Sequence, residues 1–471
     1  MGARHAIGAV VGLALVALPL LAAAPRAGRD QQDPRLSRAA ALLTPRATYS
    51  ASFRLLDSGE EVYRLNSTKP RRIASVSKIF TAATAIAHLG ADYRFRTTFH
   101  ADSVVGPSVG NLYIKGYGDP FLISEEWHDI AALLPVIEIR GDVVVDDNYF
   151  SPHLELVREP GVPNPYNALN AAFATNFNTM EVTVEEGHVS GEPQTPLTPF
   201  TVFELRPTRR GPITIDQRQG DETLKVRLRG PFGRRARTLR FHLGHDPRTP
   251  ALYAGNLFSS IFADTGGVPV SGAIRRGEVT ADAELLYEHR GSRPLSQISA
   301  ELFEYSNNFV ANQVFLVLGA ERAGAPATVE KSLRLVQGEV DKRAGPGQVV
   351  LFEGSGLDPR NTATASAVSR YLAALWPEQP DFVGLLPERI DGRARAKTGT
   401  YKDFGVRAMA GYLVDGEGQP YASFALMCDH RRCARRAYRS FDQLLEAAAT
   451  ALATAAAAPG DGEGAGGAVA P

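Results

Sequence analysis

Three short clusters along the chain carry side chains able to perform acyl transfer. In Ser75-Val76-Ser77-Lys78 one helical turn sets an amine beside a hydroxyl, so a neutral Lys78 could take the Ser75 proton. Alone, Ser-x-x-Lys arises by chance about once in a chain of this size and is ordinarily a solvated helix face. Ser306-Asn307-Asn308 offers a second hydroxyl and an amide just before the apolar stretch Phe309 to Leu318, where simple helix capping is the competing explanation. Lys397-Thr398-Gly399-Thr400 is the rarer pattern. It follows the turn-like Asp391-Gly392 and precedes two strand-like runs, which reads as an edge strand flanking a cleft.

The elements that must position these groups are legible from periodicity. Ser75 to Leu89 carries Ala, Ile, Phe and Leu at helical spacing and ends at Gly90, which puts Ser75 at a helix N-terminus. Tyr49 to Leu56 and Glu61 to Leu65, joined by Asp57-Ser58-Gly59, read as a hairpin, preceded by a short helix from Asp33 to Leu43. Arg407 to Val414 and Tyr421 to Met427 form two late strands, followed by a long amphipathic helix from Arg432 to Leu452. Residues 96–284 differ in character, with short alternating runs such as Gly110 to Lys115 and Gly141 to Asp146 between Pro and Gly turns. The expected architecture is an α/β (α+β) catalytic domain made of residues 33–95 and 285–452. Its antiparallel sheet is flanked by helices, and the β-rich module of residues 96–284, read as two small subdomains, interrupts it.

At 471 residues and 44% hydrophobic composition the chain can bury a large core. Lys plus Arg and Asp plus Glu each total 51, so no global field draws it to nucleic acid or anionic membrane. Arg4 and His5 ahead of the apolar run Ala6 to Ala24 read as an export signal over residues 1–24, with an uncleaved anchor as the alternative. Export implies the periplasm or the outer cell surface. Cys428 and Cys433 could bridge a local loop in such a compartment or remain as two thiols. With His430 as the only nearby third ligand, they make a poor metal site. Residues 453–471 turn Ala-rich and then Gly-, Asp-, Glu- and Pro-rich, the composition of a disordered tail. Arg229, Arg234, Arg235, Arg237 and Arg240 read as a solvated strand edge rather than a polyanion site, His242 and His245 as structural, and Glu353 to Leu357 as a turn beneath the cleft with Ser355 structural. Gly116-Tyr117-Gly118-Asp119 lacks the ending of a phosphate loop.

Taken in order, Ser-x-x-Lys on a helix, Ser-x-Asn on a loop and Lys-Thr-Gly on a strand resemble the penicillin-binding protein and serine β-lactamase fold. From about Ala51 to Ala447 the chain resembles one branch, the low-molecular-mass class C (peptidase S13) D-alanyl-D-alanine carboxypeptidases, whose large insertion also separates the first two motifs. Leu89-Gly90-Ala91-Asp92-Tyr93-Arg94-Phe95, Gly116-Tyr117-Gly118-Asp119-Pro120, Gly141 to Asp147, Gly354-Ser355-Gly356-Leu357 and Gly405 to Tyr412 carry the likeness. Arg71-Arg72-Ile73-Ala74 before the serine, in place of a proline-containing lead, and the longer link Tyr401 to Phe404 depart from it.

The resemblance implies a serine-type D-Ala-D-Ala carboxypeptidase, with endopeptidase activity on cross-linked stem peptides, that needs no cofactor and no metal and takes β-lactams as inhibitors. Ser75 would be the nucleophile and Lys78 the base. Ser306 would relay a proton to the leaving group and Asn308 would hold the acyl-side amide. Lys397, Thr398, Gly399 and Thr400 would bind the substrate carboxylate, or a bridge to an adjacent peptide, with the backbone amides of Ser75 and Thr400 as oxyanion hole. Two rivals stand beside this: a serine β-lactamase, disfavoured because no Glu-x-x-Leu-Asn element lies between Ser75 and Ser306, and a catalytically silent wall-binding module.

Overall fold

The computed structural model describes residues 48–158, 164–433 and 437–456, with isolated positions at 36, 38, 40, 41 and 43. The export segment and the tail beyond residue 456 lie outside the described residues, as does most of the early helix, of which Leu36, Arg38 and Ala40 are helical.

The two ends of the chain meet in one six-stranded sheet. Its strands are β1 (Tyr49–Leu55), β2 (Glu61–Leu65), β3 (Glu388–Arg389), β4 (Ala394–Tyr401), β5 (Val406–Val414) and β6 (Pro420–Asp429), in the order β2-β1-β6-β5-β4-β3. Every neighbouring pair is antiparallel, and β1 lies against β6 with Phe53 opposite Phe424. Strand β5 is buried on both faces. Ala408, Ala410 and Tyr412 point into one apolar core, while Met409 and Leu413 point into another on the opposite side, which is the period-2 alternation of a strand used twice.

Helices α1 (Ser77–Leu89), α2 (Leu295–Tyr305), α3 (Asn308–Ala323), α4 (Val329–Ala344) and α5 (Ala365–Leu375) build the first core, and α6 (Ala437–Ala456) covers the second face. Helix α3 is buried from Phe309 through Ala320, all around its circumference, as an apolar central helix must be. Small residues let α5 close on the sheet: Ser369 Oγ lies 2.7 Å from Ser52 Oγ, and Ser423 Oγ donates to the Ser369 carbonyl at 2.8 Å. Helix α6 starts at Ala437, after a 3-10 turn at Arg431–Cys433, and runs to Ala456, four residues beyond the expected end at Leu452. Cys428 and Cys433 are bridged across that turn, with Cα atoms 6.0 Å apart.

Between α1 and α2 lies the insertion. Its five-stranded sheet runs Ile274–Arg276, Val143–Asp146, Leu112–Gly116, Arg96–Ala101, Glu284–Arg290, and carries helices Ser124–Leu133 and Thr249–Asp264. Two three-stranded sheets follow, one of Thr179–Glu185, His188–Ser190 and Arg237–His242, the other of Thr201–Pro207, Thr214–Gln219 and Leu224–Gly230. One continuous core joins Phe99 and Ile114 of the large sheet and Trp127 of the helix Ser124–Leu133 to Val182, Val184, Leu224 and Val226 of the small sheets. Glu284–Arg290 pairs along its length with Arg96–Ala101, so the large sheet of the insertion extends through Arg290. It rests on α3. Gln313 Nε2 donates to the carbonyls of Gly118 and Ala171 at 3.2 and 3.0 Å, and Asn170 Nδ2 donates to Gln313 Oε1 at 2.9 Å.

Candidate active site

Ser75 does not begin the long helix. It sits in a 3-10 turn, Ala74–Val76, that leads into α1. Ala74 adopts a φ of 46°, a left-handed conformation uncommon for alanine, and two glycines make room around it. A Cβ on Gly356, at φ 83°, would lie 2.0 Å from the Ala74 carbonyl oxygen, and one on Gly399 would lie 2.4 Å from that of Ile73 and 3.0 Å from the Ser75 nitrogen. Only glycine lets both chains approach the serine turn so closely.

One turn further on, Lys78 has no exposed surface. Its Nζ lies 3.0 Å from Ser75 Oγ, 2.8 Å from Asn308 Oδ1 and 2.6 Å from the Ser355 carbonyl oxygen. A neutral amine in this position has two N–H donors for Asn308 and Ser355 and one lone pair for the Ser75 hydroxyl. Burial, reinforced by the nearby Lys397 and opposed by Glu353, holds the Lys78 ammonium well below the usual lysine range. Two acceptors for its N–H groups, a hydroxyl facing its lone pair and a depressed pKa describe an amine poised to take a proton.

Lys397, on β4, is also buried. Desolvation, with repulsion from Arg389 and partial relief from Glu304, lowers it to about 8. Strand β3 pairs only with Arg395 and Ala394, so from Lys397 to Thr400 β4 has β5 as its one strand partner and its other side is an edge that flanks the cleft, as expected. Ser306 links α2 to α3 in a left-handed conformation, φ 56°, while Asn307 caps α3 by accepting from the Val310 amide at 3.3 Å. That kink leaves Asn308 as the first residue of α3, directed at Lys78.

Ser75, Ser306, Asn308, Thr398 and Thr400 line one cleft of about 610 Å3. Lys78 and Lys397 stand behind its wall, and Gly399 packs against the serine turn. All eight residues singled out in the sequence therefore converge.

Several neighbours, among them the Glu353 of the turn expected beneath the cleft, were given no contact in the site by the sequence. Glu353 is buried and accepts from Ser355 N at 2.8 Å, Ser355 Oγ at 2.5 Å, Gly356 N at 2.6 Å and Asn361 Nδ2 at 2.7 Å, which fixes the turn whose carbonyl meets Lys78. Tyr438, on α6, donates to the Gly399 carbonyl at 2.7 Å and lies 2.8 Å from Thr400 Oγ1, bracing β4 from behind. The Tyr401 hydroxyl donates to the Gly356 carbonyl and so ties the two glycine-lined approaches together. The insertion also reaches the cleft, through Arg158, Asn164 and Tyr166. Motif spacing could not find these, because each arrives by tertiary folding.

Comparison with known proteins agrees with this geometry. Over 472 aligned residues the chain is 30% identical to the D-alanyl-D-alanine carboxypeptidase of Actinomadura sp. (strain R39), covering 89% of this chain and 86% of that protein. Penicillin binding protein 4 of Haemophilus influenzae superposes with a TM-score of 0.71 at 19% identity, over 88% of this chain and 99% of its own. Its complex with a β-lactam superposes with a TM-score of 0.69 over the same shares. These two share the α+β fold. The model of the D-Ala-D-Ala carboxypeptidase 3 (S13) family matches residues 35–450, and the chain belongs to that family.

Proposed function

We propose that the protein is a serine D-alanyl-D-alanine carboxypeptidase acting on peptidoglycan stem peptides, and an endopeptidase where the leaving amine belongs to a cross-linked neighbour. The observation that carries this is the buried Lys78 amine, 3.0 Å from Ser75 Oγ in a cleft also lined by Ser306, Asn308, Thr398 and Thr400. Family membership and the carboxypeptidase relative support the same reading.

Lys78 takes the Ser75 proton as Oγ attacks the carbonyl between two D-alanines. The developing oxyanion is met by the backbone amides of Ser75 and Thr400, each worth on the order of a hundredfold in rate. Collapse breaks the C–N bond, and the departing amine receives a proton through Ser306. Asn308 orients Lys78 and the acyl-side amide. The terminal carboxylate of the substrate lies against Thr398 and Thr400, with the Lys397 ammonium behind them. Water then cleaves the Ser75 ester, returning the enzyme. β-Lactams enter the same cleft and acylate Ser75, in keeping with the β-lactam complex of the H. influenzae neighbour.

Export to the periplasm or outer cell surface belongs to this proposal. Its support is the charged start and apolar run of residues 4–24 and the Cys428–Cys433 bridge, since disulfides persist in oxidising compartments.

The test is release of free D-alanine from a peptide ending in D-Ala-D-Ala, and of monomers from a cross-linked dimer. Wild type should release D-alanine and Ser75→Ala should release none. Equal release by both would overturn the assignment.

A further inference from the structure

The far end of the insertion carries charge that the catalytic reading does not use. Residues 201–240 contain eleven Arg and Lys against four Asp and Glu, an excess of seven positive charges, in a chain balanced at 51 of each sign. Arg206, Arg218 and Arg227 are paired with Glu204 and Asp216. The remaining arginines at one end of the sheets are not. Arg209, Arg210, Arg229, Arg234, Arg235 and Arg237 are all exposed, and none has a carboxylate within ion-pair distance among the described residues.

The fold gathers these six. Arg229 is opposite Arg206 on one side and Thr214 on the other. The amide of Thr208 donates to the Gly230 carbonyl at 2.8 Å, which brings the segment bearing Arg209 and Arg210 to the strand end after Arg229. Glu186 donates its amide to the Gly233 carbonyl at 3.2 Å, and Arg237 is opposite Val184, so the neighbouring sheet delivers Arg234, Arg235 and Arg237 to the same end. Glu185 and Glu186 lie at that turn but pair with none of them. Like charges set together on adjoining strands destabilise the fold, and among the described residues no carboxylate lies within ion-pair distance of them.

We propose that this arginine cluster is a docking surface for a polymer of repeated phosphate groups, which holds the enzyme on a phosphate-rich matrix while the cleft works. Every member is arginine, whose planar fork matches phosphate oxygens in pairs, where lysine offers a point charge. The surface is made of strand ends and loops rather than a pocket, which suits a chain of repeated charges. A lipid bilayer is the less fitting partner. Interfacial binding needs apolar anchors among the cations, and the one exposed large hydrophobic side chain within residues 201–240, Val202, lies opposite Lys225 at the other end of its strand from Arg229.

The full chain is titrated with long-chain inorganic polyphosphate over a series of NaCl concentrations, beside poly-L-glutamate and phosphatidylglycerol vesicles. Binding to polyphosphate should be tightest of the three and weaken steeply with salt. Replacing Arg229, Arg234, Arg235 and Arg237 by Ser should weaken it at least tenfold and reduce the log–log salt slope by about 0.7 per arginine removed. The same variant should release D-alanine from a soluble peptide at the wild-type rate, which shows that it is folded. Replacing the ion-paired Arg218 and Arg227 instead should leave binding unchanged. No salt-dependent binding, equal binding by the quadruple variant, or tighter binding to polyglutamate or to vesicles would each overturn the proposal.

Discussion

Two buried lysines with opposite requirements sit at the reacting centre. Lys78 must be neutral to accept the Ser75 proton, and its population in that form grows as pH rises through its depressed pKa. Lys397 must be charged to favour a substrate carboxylate, and that charge is lost as pH rises through about 8. The pH profile of kcat/KM should therefore be bell-shaped, with an alkaline limb near pH 8 assigned to Lys397. Replacing Lys397 by Arg, which stays charged, should move that limb upward. A profile flat from pH 6 to 10 would contradict this assignment. Lys78→Ala should slow acylation about 1000-fold while leaving the fold intact, which a stopped-flow β-lactam assay with circular dichroism would check. Glu353→Gln tests the turn behind the base. The carboxylate accepts four hydrogen bonds of 2.8 Å or less, so an amide there faces its own N–H groups toward donors and should cost about 2–3 kcal/mol in a denaturant titration.

At the scale of elements, the serine turn depends on two strand and loop segments that only glycine allows so near. Gly356→Ala would force a left-handed φ and drive a Cβ into the Ala74 carbonyl, with an expected loss of about 3 kcal/mol and of acylation together. Stability and labelling unchanged in that variant would refute the packing argument. The Cys428–Cys433 bridge closes only a short loop, so Cys428→Ser should cost about 2 kcal/mol by chain-entropy reasoning, seen as a lowered midpoint of unfolding.

These elements also explain what could be read in advance. Ser75 with Lys78, and Lys397 with Thr398 and Thr400, are neighbours through one helical turn or one strand, so spacing alone reports their proximity. The 3-10 start of the serine turn was not legible, because Gly356 and Gly399, far away in the chain, impose it. Tyr438 was read only as a position on an amphipathic helix, and its role bracing Gly399 exists only once α6 covers the sheet.

For the whole molecule, the insertion has its own core and also forms a wall of the site. Its core and sheets account for its β-rich pattern, and its large sheet takes in the strand Glu284–Arg290, which pairs with Arg96–Ala101. Arg158 could not have been picked out from the sequence at all. It lines the cleft and makes no ion pair with a described residue, and burial holds its guanidinium below the ordinary arginine range. Arg158→Ala should therefore raise KM for stem peptides bearing a free side-chain carboxylate while kcat for a neutral peptide stays the same, a split that steady-state kinetics on the two substrates would read directly.

The central claim is that Ser75 forms the acyl-enzyme. Intact-protein mass spectrometry after brief exposure to a penicillin, with peptide mapping, tests it most directly. The account predicts a single adduct on the peptide containing Ser75, absent from Ser75→Ala. An adduct that persists in that variant, or a folded wild type that neither labels nor releases D-alanine, would contradict it.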